Sequence, residues 1–131
     1  MAFYSAMRAA SAFLILLTLS CANLAVYEKQ DLDTLYFGTQ KSEGGVVSDA
    51  EWQQFLADEI TSRFPSGLTT WEASGQWRDQ HNVIERERTH IVQIVHRSGD
   101  EAKIVAIIDL YKKRFAQEAV FRTRSDVWMP R

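Results

Sequence analysis

Apolar residues recur at the 3.6-residue spacing of an amphipathic helix in two parts of the chain. This spacing predicts one helix that begins near position 49 and a second that begins near position 101. The apolar stripe consists of Trp52, Phe55, Leu56 and Ile60 in the first helix, and of Ile104, Ile107, Ile108, Tyr111 and Phe115 in the second. Each helix therefore has one face to bury against another layer.

Helix start signals precede both stripes. Ser48 and Glu51 have the spacing of a capping box, in which a Ser hydroxyl and a Glu carboxylate satisfy each other's free backbone N–H groups. For the second helix two starts stay open, because Ser98 with Glu101 has the same spacing and Asp100 is also a good cap.

Four segments with strand character surround these helices. A brief strand at residues 35–38 follows a polar segment, residues 23–34, which we interpret as a tether. Residues 68–78 and 83–96 are rich in Thr, Trp, Val and Ile and are joined by a short polar segment, which is typical of a β-hairpin. A last strand is predicted over residues 119–128.

Cross-strand pairs favour one register for this hairpin. If the loop is residues 81–82, Arg78 opposes Glu85 and Trp77 opposes Arg86, which pairs opposite charges and places a cation over an indole. A shift by one residue would set Trp77 against Glu85 and would change which side chains share a face. We therefore expect the first register.

The element order β-α-β-β-α-β predicts an α+β domain over residues 35–131, built on the ferredoxin-like, split βαβ plan. That plan gives a four-stranded antiparallel sheet with two helices on one face. The third strand is apolar on both sides at Ile91-Val92 and Ile94-Val95, so the open sheet face needs a cover. A second copy of the chain, Trp128 or a bound ligand would supply one, and we favour a homodimer.

Composition and charge exclude several classes of protein. The chain has 131 residues, 46% of them hydrophobic, and a formal net charge of −2. A charge so close to neutral does not favour a nucleic-acid partner. The hydrophobic content is too high for a disordered chain, and one Cys cannot build a disulfide scaffold or a zinc ribbon.

The first 22 residues have the pattern of a secretory signal, with a basic start, an apolar run and small residues at the end. Cys21 resembles the lipidated Cys of a bacterial lipoprotein, whereas cleavage after Ala22 would release a soluble protein. Both outcomes predict export, to the periplasm or beyond, with membrane contact through the signal or a lipid anchor. A buried N-terminal helix is the competing interpretation.

Titratable residues of the third strand do not form a metal motif. His90 and His96 share a strand face but lie about 20 Å apart, so we predict no metal site, and no cofactor motif occurs. Glu85 and Glu87 share a face at about 7 Å, near the spacing of a glycosidase acid pair. Because they alternate with arginines, a solvated charge ladder is the favoured interpretation.

Aromatic and basic residues of the hairpin form a candidate binding surface. Trp71 and Trp77 lie on one face, and in the favoured register Arg86, Arg88 and His90 share that face. An apolar wall with convergent cations would suit an anionic or aromatic small molecule. The alternative is packing alone, with Trp71 in the core and Trp77 against Arg86.

Five segments carry a family resemblance: LYFG, VSDAEW, RFPSGLTTWEASGQWRD, ERERT and YKKRFAQEAVFR. With these segments the chain resembles an uncharacterised bacterial family, domain of unknown function 3574, over residues 35–122. The shared positions are Phe64, Pro65, Gly67, Leu68, Thr69, Gly75, Trp77, Glu87, Tyr111, Phe115 and Gln117. Thr89 and Ala119 stand where the family usually has Ser. The resemblance implies an exported protein and supplies no activity, substrate or catalytic residue.

Packing explains the polar residues Gln76, Glu87, Arg114 and Gln117 less well than the aromatic ones. In the favoured register Gln76 opposes Glu87, so these residues are expected to form one hydrogen-bonded cluster. Two functions stay open. The chain is either a binding module for a small molecule or a protein on its open sheet face, or a cofactor-independent enzyme of the dimeric α+β-barrel type with Glu87 or His90 as general base.

Overall fold

The computed structural model describes residues 26–78 and 80–131. The signal sequence with Cys21, and the first residues of the expected tether, lie outside the described residues. The chain divides into two compact units, Gln30–Val127 and a smaller unit that includes the described residues 26–29 and 128–131. In the smaller unit the amide of Arg131 donates a hydrogen bond to the carbonyl of Val26 at 2.8 Å.

The predicted element order is present. The elements are strand β1 (Tyr27–Gly38), helix α1 (Asp49–Phe55), strands β2 (Thr69–Arg78) and β3 (Ile84–His96), helix α2 (Glu101–Phe115) and strand β4 (Phe121–Pro130). A π-helical turn, Leu56–Thr61, extends α1, and a 3₁₀ turn, Ser98–Asp100, precedes α2.

The four strands form one antiparallel sheet in the order β2-β3-β1-β4. Strands β1 and β3 occupy its centre, as right-handed crossovers in the split βαβ plan require. The predicted ferredoxin-like α+β fold is therefore confirmed.

One hydrophobic core joins the helices to the sheet. It contains Leu35, Phe37, Val47, Trp52, Phe55, Ile60, Phe64, Val92, Ile94, Ile104, Ile107, Tyr111 and Phe115. Both predicted helical stripes contribute to it, with Leu56 and Ile108 partly buried at its margin. Aromatic edges hold the layers together, since the Phe37 ring of β1 lies 4.7 Å from the Tyr111 ring of α2.

Strand β1 begins earlier than the sequence pattern indicates. The tether expected over residues 23–34 is wrong from Tyr27 onward, because this part of the chain is a strand. Two of its acidic residues are buried rather than solvated, since Asp31 and Asp33 are 7% and 0% exposed. The acidic residues that suggested a linker thus belong to a buried ionic cluster.

Asp33 is the centre of that ionic cluster. Arg122 donates to both of its carboxylate oxygens at 2.8 Å, Arg124 donates at 2.9 and 3.2 Å, and Nε2 of His96 lies 2.7 Å from Oδ2. Burial disfavours the ionised carboxylate, but these hydrogen bonds outweigh burial and hold the pKa of Asp33 well below its usual value. Glu101 binds the same two arginines, so the cluster joins three strands to the start of α2.

The capping box of α1 is confirmed. Ser48 Oγ accepts a hydrogen bond from the amide of Glu51 at 3.3 Å, and Glu51 Oε2 accepts one from the amide of Ser48 at 2.8 Å. The start of this helix is therefore determined by local sequence.

The second capping box is wrong. Ser98 belongs to the 3₁₀ turn, and Asp100 takes the N-cap position of α2 without a side-chain cap bond. The Asp100 carboxylate binds Lys103 at 2.7 Å instead, and the Glu101 carboxylate is held by Arg122. A local ion pair of Asp100 and a tertiary ion pair of Glu101 therefore take the place of the capping bonds.

The β2–β3 hairpin has the register that the sequence disfavoured. Arg78 pairs with Ile84 and Trp77 pairs with Glu85, so the predicted register is wrong by one residue. The turn is longer than two residues. Asn82 has a left-handed φ of 66°, and its side-chain oxygen accepts a hydrogen bond from Arg78 at 2.8 Å.

This shift separates the residues of the predicted binding surface. Side chains alternate along a strand, so a one-residue slip exchanges the faces of β3 relative to β2. Trp71 and Trp77 lie on the open face, whereas Arg86, Arg88 and His90 lie on the face that the helices cover. The convergence of these five residues is therefore a wrong prediction.

Candidate functional site

Four apolar side chains form a row across the open face of the sheet, which we call the apolar row. Trp71 of β2 pairs with Ile91 of β3, Ile91 pairs with Tyr36 of β1, and the Tyr36 ring lies 5.4 Å from the Phe121 ring of β4. Ile91 is 7% exposed, but Trp71 and Phe121 are 42% and 65% exposed. The third strand is therefore apolar on both faces, as expected.

Two glycines make room for side chains of β3 beside the apolar row, Gly38 for Glu87 and Gly75 for Thr89. Gly75 of β2 pairs with Glu87, and Gly38 of β1 pairs with Thr89. A Cβ atom at Gly38 would lie 2.6 Å from Glu87 Oε1, and one at Gly75 would lie 2.9 Å from Thr89 Oγ1. The Glu87 carboxylate therefore reaches across β1 through space that any larger residue at position 38 would fill.

Gln40 holds this carboxylate in place. Its backbone amide donates to Glu87 Oε2 at 3.0 Å, and its side-chain amide donates to the carbonyl of Arg86 at 3.3 Å. Gln117, just after α2, donates its side-chain amide to the carbonyl of Gln40 at 2.5 Å. A chain of hydrogen bonds thus runs from the end of α2 to Glu87.

Tyr111 supports the same point from the helix layer. Its hydroxyl donates to the carbonyl of Gly38 at 2.8 Å. Burial, together with the negative charges of Glu87 and Glu51, raises the pKa of Tyr111 well above its usual value. Tyr111 is therefore a neutral donor that fixes the backbone beneath Glu87.

A pocket of about 430 Å³ opens beside Glu87. Its lining residues are Gln40, Lys41, Ser42, Trp77, Glu87, Gln117, Glu118 and Ala119. They come from the loop after β1, the loop after α2 and the ends of β2 and β3. Trp77 is 44% exposed, so its indole is available to a bound molecule.

Negative charge predominates in this pocket. Glu87 and Glu118 line it, and Lys41 directs its ammonium to Glu51 at 3.0 Å. Hydrogen bonds from Ser48 and Lys41 lower the pKa of Glu51 to about 2. Within the part of the chain that the structure describes, no cation lies within ion-pair distance of Glu87.

Three residues that the sequence selected meet in this pocket: Trp77, Glu87 and Gln117. Trp71 shares their sheet face and belongs to the apolar row. The sequence grouped Gln117 with Glu87, but it did not indicate that their connection passes through the backbone of Gln40.

Gln76 and Arg114 do not join them. Gln76 accepts a hydrogen bond from Arg86 at 2.9 Å on the helix side of the sheet. Arg114 donates to Glu59 at 2.6 Å, within the helix layer. The predicted cluster of four polar residues is therefore formed only by Glu87 and Gln117, through Gln40.

Arg88 and His90 also lie away from the pocket. Arg88 binds Asp49 at 2.5 Å and lies 3.6 Å from Glu72. His90 is 2% exposed and stacks on Trp52 with ring centroids 4.3 Å apart. Burial, with the nearby charge of Arg88, lowers the pKa of His90, and its Nε2 has no hydrogen-bond partner among the described residues. His90 is thus a neutral core residue.

No pattern in the sequence indicates the loop that closes the site. Ser42 donates from both its amide and its hydroxyl to the carbonyl of Ala116, at 3.1 and 2.7 Å. Ala116 has a left-handed φ of 49°, which ends α2 and turns its carbonyl toward this loop. Contacts between such distant positions leave no local pattern.

Over residues 26–78 and 80–131, no group of three or more His, Cys, Asp or Glu residues could hold a metal ion. Helices in these ranges lack the length and apolarity needed to cross a membrane.

A family model places this chain among known sequences. The model described as protein of unknown function (DUF3574) matches residues 32–130. The chain belongs to the DUF3574 family. The matched region contains all the residues that line the pocket beside Glu87. No curated protein matches this DUF3574 chain.

Solved structures share the fold of this DUF3574 chain. A phage SAM lyase in complex with S-methyl-5'-thioadenosine has a TM-score of 0.57 and 13% identity, covering 78% of this chain and 90% of that chain. The same lyase in its apo state has a TM-score of 0.56 and 13% identity, covering 79% and 90%. CutA from Synechococcus elongatus has a TM-score of 0.45 and 13% identity, covering 82% and 84%. At this identity the likeness to the lyase shows the fold.

Proposed function

We propose that this protein is an exported binding module that takes a small molecule in the pocket beside Glu87. One observation carries the proposal: the Glu87 carboxylate lines the pocket with no counter-ion among the described residues, next to the exposed indole of Trp77. A carboxylate gains most from a charged or N–H donor, and an indole face attracts cations and flat rings. The expected ligand therefore joins a cationic or donor-rich group to a flat or apolar body.

The site is organised before a ligand arrives. Gln40 and Gln117 fix one side of the Glu87 carboxylate through hydrogen bonds, and Tyr111 fixes the backbone below it. A carboxylate that is already oriented loses little conformational freedom on binding.

A second copy of the chain covers the open sheet face in this proposal. The apolar row leaves Trp71 and Phe121 exposed on neighbouring parts of one surface. Contiguous apolar surface of this kind is characteristic of interaction sites. The signal-like first 22 residues support a role outside the cytoplasm.

The phage SAM lyase, which shares this fold, suggests two compounds for a test. S-methyl-5'-thioadenosine is a flat base joined to a neutral thioether, whereas S-adenosylmethionine carries a sulfonium and an ammonium. Titration calorimetry on the purified protein should show at least tenfold tighter binding of the charged compound. Glu87→Gln should remove that preference, because it removes the negative charge and keeps an acceptor for the Gln40 amide.

Glu85→Gln is the matched control. Glu85 lies two residues along the same face of β3 and does not line the pocket. It should leave both affinities within twofold of the unmodified protein. Equal affinity for the two compounds, no binding of either, or equal effects of the two substitutions would contradict the proposal.

Catalysis by Glu87 as a general base is the second candidate function. The same lone carboxylate favours it, whereas His90, the other candidate base, is stacked beneath Trp52. Chromatography after incubation with S-adenosylmethionine separates the two functions. Release of S-methyl-5'-thioadenosine that falls at least 100-fold in Glu87→Gln at saturating compound establishes catalysis, and an unchanged compound supports binding alone.

A further inference from the structure

A second pocket, of about 540 Å³, lies at the opposite end of β3 from Glu87. It is bounded by the loop after α1, the last residues of β3 and the turn that leads into α2. Phe64 and Val95 form an apolar wall, and the lining cations Arg63, Arg97 and Lys103 outnumber the lining acid Asp100. Its charge is thus opposite to that of the pocket beside Glu87.

Two of the three cations already have partners. Arg63 binds Glu59 at 2.7 Å, and Lys103 binds Asp100 at 2.7 Å while lying 5.6 Å from the centre of the Phe64 ring. The hydrogen bond from Lys103 also lowers the pKa of Asp100, so this acid stays ionised. Because these two pairs are neutral, the net positive charge of the pocket comes from the third cation.

Arg97 is that third cation. Within the described residues its guanidinium forms no ion pair or hydrogen bond. A guanidinium presents several N–H donors in a planar fork that matches a phosphate or a carboxylate. A bound oxyanion would therefore accept hydrogen bonds from guanidinium N–H groups that have no other acceptor among the described residues.

The His96 ring contacts the backbone of Arg97. The His96 ring lies 2.7 Å from the carbonyl of Arg97 through Nδ1, and 2.7 Å from Asp33 Oδ2 through Nε2. The backbone of Arg97 is thereby tied to the buried ionic cluster around Asp33.

We propose that this second pocket binds a small organic oxyanion, a phosphate monoester or a carboxylate attached to a flat apolar body. The oxyanion lies against the Arg97 guanidinium, with Lys103 next to it, and the apolar body packs against Phe64. This site is independent of the pocket beside Glu87, since the two share no lining residue.

Phenyl phosphate and benzoate are the test compounds, with benzyl alcohol as the neutral compound of similar shape. In heteronuclear NMR titrations at constant ionic strength, both anions should shift the amide signals of Ser66, Gly67 and Arg97, and benzyl alcohol should not. Arg97→Gln should weaken binding of both anions at least tenfold, because it removes a guanidinium that has no ion pair or hydrogen bond among the described residues.

Arg86→Gln is the matched control. It removes the same charge from β3, the strand that Arg97 directly follows, and Arg86 does not line this pocket. The control should retain affinity within twofold. The proposal is overturned if the anions cause no localised shifts, if benzyl alcohol causes the same shifts, or if the two arginine variants weaken binding equally.

Discussion

The Glu87 carboxylate lies against the α-carbon of Gly38, where a Cβ atom would come within 2.6 Å of its oxygen. These two residues belong to neighbouring strands, and their contact determines the geometry of the pocket. Glycine is therefore needed at position 38 because the Glu87 carboxylate of β3 occupies the space of a side chain there, and not because a turn requires it.

Replacing Gly38 by Ala should displace the Glu87 side chain and break its hydrogen bond with Gln40. We expect a loss of about 1–3 kcal/mol in the free energy of unfolding, as for other overpacked sites, and at least tenfold weaker binding of S-adenosylmethionine. Chemical denaturation and calorimetry measure the two effects. Gly99→Ala is the control, because nothing lies within 4 Å of a Cβ at that position. An equal response of both variants would show that the Glu87 contact is unimportant.

Replacing Asp33 by Asn should destabilise the domain strongly. The substitution leaves Arg122 and Arg124 beside a neutral group, and breaking a buried ion pair on one side costs about 3–5 kcal/mol. Urea denaturation measures this loss. Asp109→Asn removes an exposed carboxylate on α2 and should change stability by less than about 0.5 kcal/mol. A small effect of Asp33→Asn would show that the cluster is not stabilising.

The same cluster predicts acid sensitivity. The pKa of Asp33 is lowered from 3.8, and the pKa of Glu101 is lowered from 4.5 to about 2, chiefly by the Arg122 hydrogen bond. In the unfolded chain the two carboxyl groups titrate at their ordinary pKa values, 3.8 and 4.5. Below pH 4.5 the unfolded chain therefore binds more protons than the folded chain. The free energy of unfolding is at its full value above pH 4.5 and decreases as the pH falls toward 2. Urea midpoints between pH 2 and 7 should show this slope, and it should be shallower in Asp33→Asn. Parallel slopes for the two proteins would argue against it.

Replacing His90 by Phe should raise stability. Phe keeps the stacking on Trp52 and removes the buried Nε2, which has no hydrogen-bond partner among the described residues, a defect worth about 1–3 kcal/mol. It loses only the approach of Nδ1 to the exposed Glu72 carboxylate at 3.6 Å. The lowered pKa of His90 means that the unfolded chain takes up the proton first below pH 6.5, so the gain should be larger at pH 5 than at pH 7. Thermal unfolding at the two pH values measures this, and a destabilised variant would contradict it.

Replacing Phe121 by Lys should dissociate the proposed homodimer. Phe121 lies at the end of the apolar row and is 65% exposed, so the substitution puts a charge on that surface without emptying the core. Sedimentation equilibrium should show a monomer for Phe121→Lys and a dimer for the unmodified protein. Val105→Lys changes an exposed apolar residue of α2 and should leave the dimer intact. A monomer before any substitution would remove the dimer from the proposal.

Local sequence determined the elements and their order. Periodic apolar residues and the Ser48–Glu51 box are signals within one or two turns of helix, and the helices and the capping box are where those signals place them. The topology follows from this order because right-handed crossovers leave few alternatives. The family resemblance rests on the same short segments, and it is confirmed.

Tertiary structure decided the parts that depend on distant partners. The acids of β1 look like a linker until Arg122 and Arg124 are placed beside them. The hairpin register goes with a longer turn and with a close fit of Thr89 against Gly75, whereas the sequence favoured the cross-strand pairs of the alternative register. Because a one-residue slip exchanges strand faces, that fit separated Arg88 and His90 from the tryptophans and left Glu87 with Trp77 in the pocket.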